Sequence, residues 1–264
     1  MKFNSLSNNV YLKNNLVVKE SKKETRTFLD KKNEYNFLNE ILNCDENIIL
    51  KPIYFKIENE KLFSHFNYLK TWNTIDIKNL NKEKLLLISE AIVKFHNLKI
   101  NKNNIKTFNH EHFLNLFLKN VHDNELIFDK EKLNVVIKKL DSLNANNLVV
   151  SHNDLIKDNF LIKENEIKII DYDFVMLNNK YFDLASFISE SLVNDKDIMV
   201  FVNVLLDINY INKQELIYVK EEIYYQDILW YYWANYMWEI TSNSNYKEIM
   251  EIKKRYVFSR KLPF

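Results

Sequence analysis

Three polar residues at fixed spacing could carry chemistry: Asp154, Asn159 five positions later, and Asp171 seventeen positions after Asp154. They lie in SHNDLIKDNFLIKENEIKIIDYD, residues 151–173. The apolar run Leu148–Val150 leads into His152-Asn153-Asp154, and a second run, Ile167–Ile170, ends on Asp171. The pattern predicts a strand, a polar loop, a hairpin, and a carboxylate at a strand end. Phosphoryl transfer needs such parts close together. One carboxylate takes the proton of the attacking hydroxyl, while an amide oxygen and a second carboxylate hold Mg²⁺ on the nucleotide phosphates. Asp154 is the expected base, with Asn159 and Asp171 the expected metal ligands, since Mg²⁺ prefers hard oxygens. His152, at the strand-to-loop junction, reads as structural, tying down backbone carbonyls. Read singly, each is an ordinary turn residue of a hairpin; the ordered set is what points to chemistry.

These residues must be positioned by a chain of 264 residues, 47% hydrophobic and 28% charged, enough for one large domain or two lobes. With 37 basic and 36 acidic residues the net charge is +1, which argues against a nucleic-acid partner. No apolar stretch is long enough to span a bilayer, and the opening MKFNSLSNNV lacks the apolar core of a signal peptide. The single Cys44 excludes an intrachain disulfide and fits a reducing, cytoplasmic setting. The chain has no glycine. That excludes a Walker A loop, a GxGxxG dinucleotide site, a nucleophile elbow and a DFG motif. Turns needing positive φ must use Asn or Asp, with Asn14-Asn15, Asn146-Asn147 and Asn178-Asn179 the expected places.

Alternating apolar positions over residues 3–20 predict a hairpin turning at Asn14-Asn15. Helical spacing over 27–43 predicts a helix, with Thr27 its expected N-cap. Residues 48–57 and 60–66 read as strands, Pro52 suiting an edge or a strand start. Beyond them the pattern is mainly helical: 82–98, 110–122, 129–143, 181–192, and a long region over 213–241 that could be broken. His110, His112 and His122 are too loosely arranged, with no partner pattern, to argue for zinc. Trp230 and Trp233, three apart, share a helix face. An aromatic stripe of this kind is usually core. It is also the group that holds a quaternary ammonium, which attracts ring faces and cannot donate hydrogen bonds. Trp238 lies off that face and reads as packing.

SHNDLIKDNFLI followed by IKIIDYDFVMLNNKYFDLASFISE resembles the choline/ethanolamine kinase family, within the aminoglycoside-phosphotransferase-like, protein-kinase-like superfamily. The matching positions are Asp154, Asn159, Asp171, Asp173 and Phe182-Asp183-Leu184-Ala185, and the resemblance is strong over about 148–190. It implies an α+β, two-lobed protein-kinase-like fold, with a small antiparallel-sheet lobe over 1–67 and a larger, mainly helical lobe over 68–264. It implies ATP as co-substrate with Mg²⁺, a phosphate-covering loop at Ser5–Asn9, and Lys19 as the phosphate-binding lysine, oriented by Glu34. Taken alone, Lys19 and Glu34 read as solvated charges. It places the adenine edge on the backbone around Ser64–Asn67, including Ser64 and Phe66. It makes Asp183 a buried acceptor steadying the catalytic loop, and lets Asp173 assist the metal or the substrate hydroxyl. Glu190 would line the amine pocket as counter-charge, or simply face solvent. Trp230 and Trp233 would form the pocket, with Tyr246 closing the cage.

The expectation is therefore a choline kinase, converting choline and ATP to phosphocholine and ADP. Its rivals are a kinase for ethanolamine, thiamine or an aminoglycoside, and a non-catalytic scaffold on the same fold. The aromatic C-terminal part argues for one bulky cation rather than a polyamine.

Overall fold

The computed structural model describes residues 2–3, 5, 7–119, 127–144 and 148–264. Asn146-Asn147 and His122 lie outside them. Packing divides the chain into two compact units, 1–107 with 149–177, and 108–148 with 178–264. This differs from the expected cut after residue 67. Residues 149–177 pack with the N-terminal segment, where Ile49 bridges Ile169 and Thr107 bridges Leu177, and the helix over 82–96 packs on the strands over 149–151 and 166–169.

The first unit holds a five-stranded antiparallel sheet in the order β1-β2-β3-β5-β4. Its strands are β1 (Lys2–Phe3), β2 (Asn8–Lys13), β3 (Leu16–Ser21), β4 (Tyr54–Glu58) and β5 (Lys61–Asn67). Two hairpins turn on residues with φ near the left-handed well: Asn14 (49°) and Asn15 (63°), then Asn59 (49°) and Glu60 (61°). Two successive positive-φ residues give the turn whose twist suits paired strands, and Asn tolerates that region best after glycine. Glu60, Glu164 and Ser242 also adopt it, so the burden is not confined to Asn and Asp. Asn178-Asn179 does not. The strand expected from residue 48 starts only at Tyr54, because Pro52 has no N–H to donate and the ladder opens with Ile53 N–H on His65 O, 2.8 Å.

Helix α1 (Lys31–Ile41) follows β3, and Asp30, not Thr27, caps it by accepting Asn33 N–H. Helix α2 (Lys82–His96) buries Leu85, Ile88, Ile92 and Phe95. After the short β6 (Asn73–Thr74) and β7 (Val149–Ser151), strands β8 (Phe160–Lys163) and β9 (Glu166–Ile169) form the expected hairpin, with β6 on the other side of β8. Strand β10 (Met176–Asn178) pairs with β7.

The second unit is helical: α3 (His110–Leu118), α4 (Lys130–Asn144), α5 (Tyr181–Ser191), α6 (Asp195–Asp207), α7 (Leu216–Thr241) and α8 (Ser244–Ser259). Asparagine side chains cap α2, α3, α6 and α8, a second use of this abundant residue. Helix α7 is unbroken and buries side chains on several sides, the polar Glu222, Gln226, Asp227 and Asn235 among them. No helix among the described residues is long and apolar enough to cross a membrane.

His110 is fully buried in this unit, with Nδ1 donating to Asp141 Oδ1 at 2.7 Å and Nε2 to Glu222 Oε1 at 3.0 Å. Both ring nitrogens can donate only in the charged form. Burial lowers the imidazole pKa, but the Glu222 and Asp141 carboxylates outweigh it and raise it to about 9. A folded pKa above the unfolded value of about 6.5 gives stability that is complete below pH ~6.5 and lost as pH rises through about 9. The difference corresponds to about 3 kcal/mol. Urea unfolding from pH 6 to pH 10 should show this loss, and His110→Gln should remove it. An identical pH dependence in the variant would contradict the charged triad.

Candidate active site

The residues that could do chemistry are assembled on two facing pieces of the first unit, the loop after β7 and the end of β9. Ile170 joins them. Its carbonyl accepts His152 Nε2 at 2.9 Å, and its N–H donates to Asn159 O at 3.0 Å. His152 therefore has the structural placement expected of it, its ring set beside Phe95 and Tyr172. Tyr172, fully buried, donates to Ile169 O at 2.6 Å and accepts Leu50 N–H at 3.0 Å. These bonds fix the strand end on which Asp171 sits.

Two residues here occupy the left-handed region, Asn153 (φ 59°) and Asp171 (φ 65°). Such positions persist only where the surroundings hold them. For Asn153 the hold is visible: its amide donates to Phe174 O at 2.9 Å and Ser151 O at 3.2 Å.

Asp154 is half-buried at the head of the loop. Asn159 turns its amide nitrogen to Asp154, 2.7 Å from the carbonyl and 3.3 Å from Oδ2. The amide oxygen is thus directed away from Asp154, as a metal ligand requires. Asp171 keeps 33% side-chain exposure. An amide oxygen and an accessible carboxylate form a hard-oxygen pair that fits Mg²⁺, which takes few protein ligands and keeps water.

Behind Asp171 lies a buried charge cluster. Lys19 Nζ reaches Glu34 Oε1 at 3.0 Å, Asp171 Oδ1 at 2.5 Å and Asp173 Oδ1 at 2.9 Å. Lys31 Nζ reaches Glu34 Oε2 at 2.8 Å and Asp173 Oδ1 at 2.6 Å. Glu34 therefore bridges two lysines, one oxygen each. Burial alone would lower the Lys19 pKa, but the surrounding carboxylates drive it well above the usual lysine value. Burial would raise Asp173, and the two ammonium groups hold it well below the usual carboxylate range. Burial prevails at Glu34, which is raised.

Lys31 escaped the sequence reading. It lies in DKKNE, a charged run that reads as solvent-facing; its spacing to Glu34, one helical turn, was the available signal. Ser64 and Phe66 lie inside β5, opposite Lys19 and Val17, and Ser64 is also paired with Phe55 of β4. Their peptide groups belong to the sheet ladder rather than to a free hinge. The chain leaves the strand at Tyr68, whose N–H donates to Asn15 O at 3.1 Å.

In the second unit, Trp230 and Trp233 meet edge to face at 5.8 Å between centroids, and Trp233 meets Tyr246 edge to face at 5.4 Å. Trp230 and Tyr246 are buried and Trp233 is half-buried. Trp238 is apart from them, under Lys247 Nζ. Asp183 is fully buried in the first turn of α5. Glu190 is not a free counter-charge: it pairs with the buried Lys253, which also reaches Asp227 at 3.2 Å. Burial would raise the Glu190 pKa, but Lys253 lowers it overall.

Known proteins share this architecture. The choline kinase LicA of Streptococcus pneumoniae superposes with a TM-score of 0.73 at 17% identity, covering 96% of this chain and 90% of that one. The amicoumacin kinase hAmiN, solved in complex with AMP-PNP, Ca²⁺ and Ami, gives 0.73 at 10% identity, covering 100% and 90%. The fold is therefore kinase-like. In sequence, the LicA homologue of Mycoplasma capricolum subsp. capricolum is 28% identical over 210 residues, 77% of this chain and 81% of its own. The choline/ethanolamine kinase family model matches residues 13–258, almost the whole chain. The chain therefore belongs to the choline/ethanolamine kinase family, a family of small-molecule phosphotransferases.

Proposed function

We propose that this protein is a choline kinase, transferring the γ-phosphate of ATP to the hydroxyl of choline. Asp154 accepts the hydroxyl proton as the choline oxygen bonds to phosphorus and the bond from phosphorus to the ADP oxygen breaks. Asn159 and Asp171 would hold Mg²⁺, whose chemistry there would be to offset negative charge on the phosphate oxygens. Lys19, kept in place by Glu34, steadies the phosphates. Lys19 engages three carboxylates, which keeps it charged and fixed before substrate arrives. The work of the chain is positioning and charge neutralisation.

The observation that carries the choice of acceptor is the three-ring cluster of Trp230, Trp233 and Tyr246. Glu190 is already neutralised by Lys253, so ring faces rather than a bare carboxylate offer the attraction for a cation. That favours a trimethylammonium, which needs no hydrogen-bond acceptors, over the primary ammonium of ethanolamine, which does. Trp233→Leu is expected to raise KM for choline about tenfold, the scale of a desolvated cation–π contact. KM for ethanolamine should change less. Equal changes for both alcohols would remove the support for choline.

A further inference from the structure

A glycine-free chain must hold its phosphate-facing backbone by other means, and Asp173 has the partners to do it. Its two oxygens take four donors. Oδ1 accepts Lys31 Nζ at 2.6 Å and pairs with Lys19 Nζ at 2.9 Å. Oδ2 accepts Ser7 Oγ at 2.7 Å and Asn8 Nδ2 at 2.5 Å. A carboxylate offers about four lone-pair directions, so this one is saturated inside the protein. Asp173 thus has no acceptor left for a substrate hydroxyl, contrary to the role expected from the sequence.

Asn8 is 2% exposed, and its Oδ1 makes no hydrogen bond. Its amide is oriented by what its nitrogen does, donating to Asp173 and to Ser7 Oγ at 2.9 Å. A buried acceptor left unpaired is costly, and nearby bonds to a charged carboxylate are the kind that offset it. Further bonds in this segment join side chains to backbone: Asn8 N–H donates to Ser5 Oγ at 3.3 Å, Thr25 Oγ1 to Ser7 O at 3.3 Å and Lys22 Nζ to Ser5 O at 2.9 Å.

We infer that Asp173 is a positioning residue: through Ser7 and Asn8 it latches the entrance of β2 onto the lysine–carboxylate cluster, presetting that backbone for the nucleotide. The nucleotide part rests on the kinase reading above; the latch itself rests only on the four contacts. Fixing a segment before binding lowers the cost of ordering it later, so the latch acts on nucleotide affinity.

The test uses the full chain with Ser7→Ala, and with Ser7→Thr as the conservative variant that keeps the hydroxyl. Hydrogen–deuterium exchange is followed over residues 7–13, and affinity is read with a fluorescent ATP analogue and Mg²⁺, without acceptor. Ser7→Ala should speed exchange in that segment and weaken nucleotide binding about tenfold, the scale of a hydrogen bond to a charged group. Ser7→Thr should restore both. In steady state KM for ATP should rise by more than kcat falls. Unchanged exchange in Ser7→Ala overturns the latch. Faster exchange with unchanged affinity overturns its positioning role. Failure of the wild-type protein to bind the nucleotide overturns the kinase reading instead, and the positioning role with it.

Discussion

Asp154→Asn is expected to lower kcat by about 10²- to 10⁴-fold, the range for removing a positioned general base. The substitution keeps the shape and the polar contact with Asn159, whose amide lies 3.3 Å from Oδ2, while an amide cannot take up the hydroxyl proton. Asp154 is half-buried at the head of its loop, outside the buried charge cluster, so the variant should melt within about 1 kcal/mol of wild type. KM for ATP should stay close to normal, because Lys19 and Asp171 are untouched. A loss confined to kcat identifies an interaction made only in the transition state. Near-normal turnover in this variant would mean that Asp154 is not the base.

Lys31→Met is expected to cost stability of about 3–5 kcal/mol, as removal of one partner from a buried ionic group does. Lys31 is 7% exposed, Glu34 2% and Asp173 5%. Without its ammonium, both carboxylates are left to share Lys19. Asp173 owes its low pKa, against burial, to Lys19 and Lys31 together. A depressed carboxylate contributes stability that is present above its unfolded pKa and lost as pH falls through the folded one. Losing Lys31 moves the folded pKa up, so the acid limb of the stability profile should begin at higher pH. Lys31→Met with Glu34→Gln removes one charge of each sign and should recover a large part of the loss. Urea denaturation of the two variants reads this directly. A single variant as stable as wild type, or a double variant less stable than the single, would show that the cluster is not coupled as its geometry requires.

What the sequence made legible was local. Alternation announced the first hairpin and its Asn14-Asn15 turn, and helical periodicity placed α2, α5 and α7 to within a few residues. Asp154, Asn159 and Asp171 flank one hairpin, whose neighbouring bonds set Asn159 against Asp154 and tie Ile170 to Asn159. The parts that were not legible depend on distant partners. Lys31 and Asp173 are 142 positions apart, and the one-turn spacing of Lys31 to Glu34 in DKKNE fits a solvated pair as well as a buried one. Asp173 could be expected near substrate only while its four donors were unknown. Glu190 changes meaning through Lys253, 63 positions away, and His110 becomes a buried cation only between Asp141 and Glu222. Ser64 and Phe66 lie within the ladder for a different reason: strand ends are set by pairing, and β5 runs on to Asn67.

The most direct test of the central claim follows ³¹P NMR of the protein with MgATP and choline, beside ethanolamine, thiamine and kanamycin. The account predicts a phosphocholine resonance growing in step with ADP, slower or absent with the other acceptors, and lost with Asp154→Asn. Consumption of ATP with a different acceptor and none with choline would contradict the choline assignment; no phosphorylated product from any of them, with ATP intact, would contradict the assignment of phosphotransfer to these small alcohols.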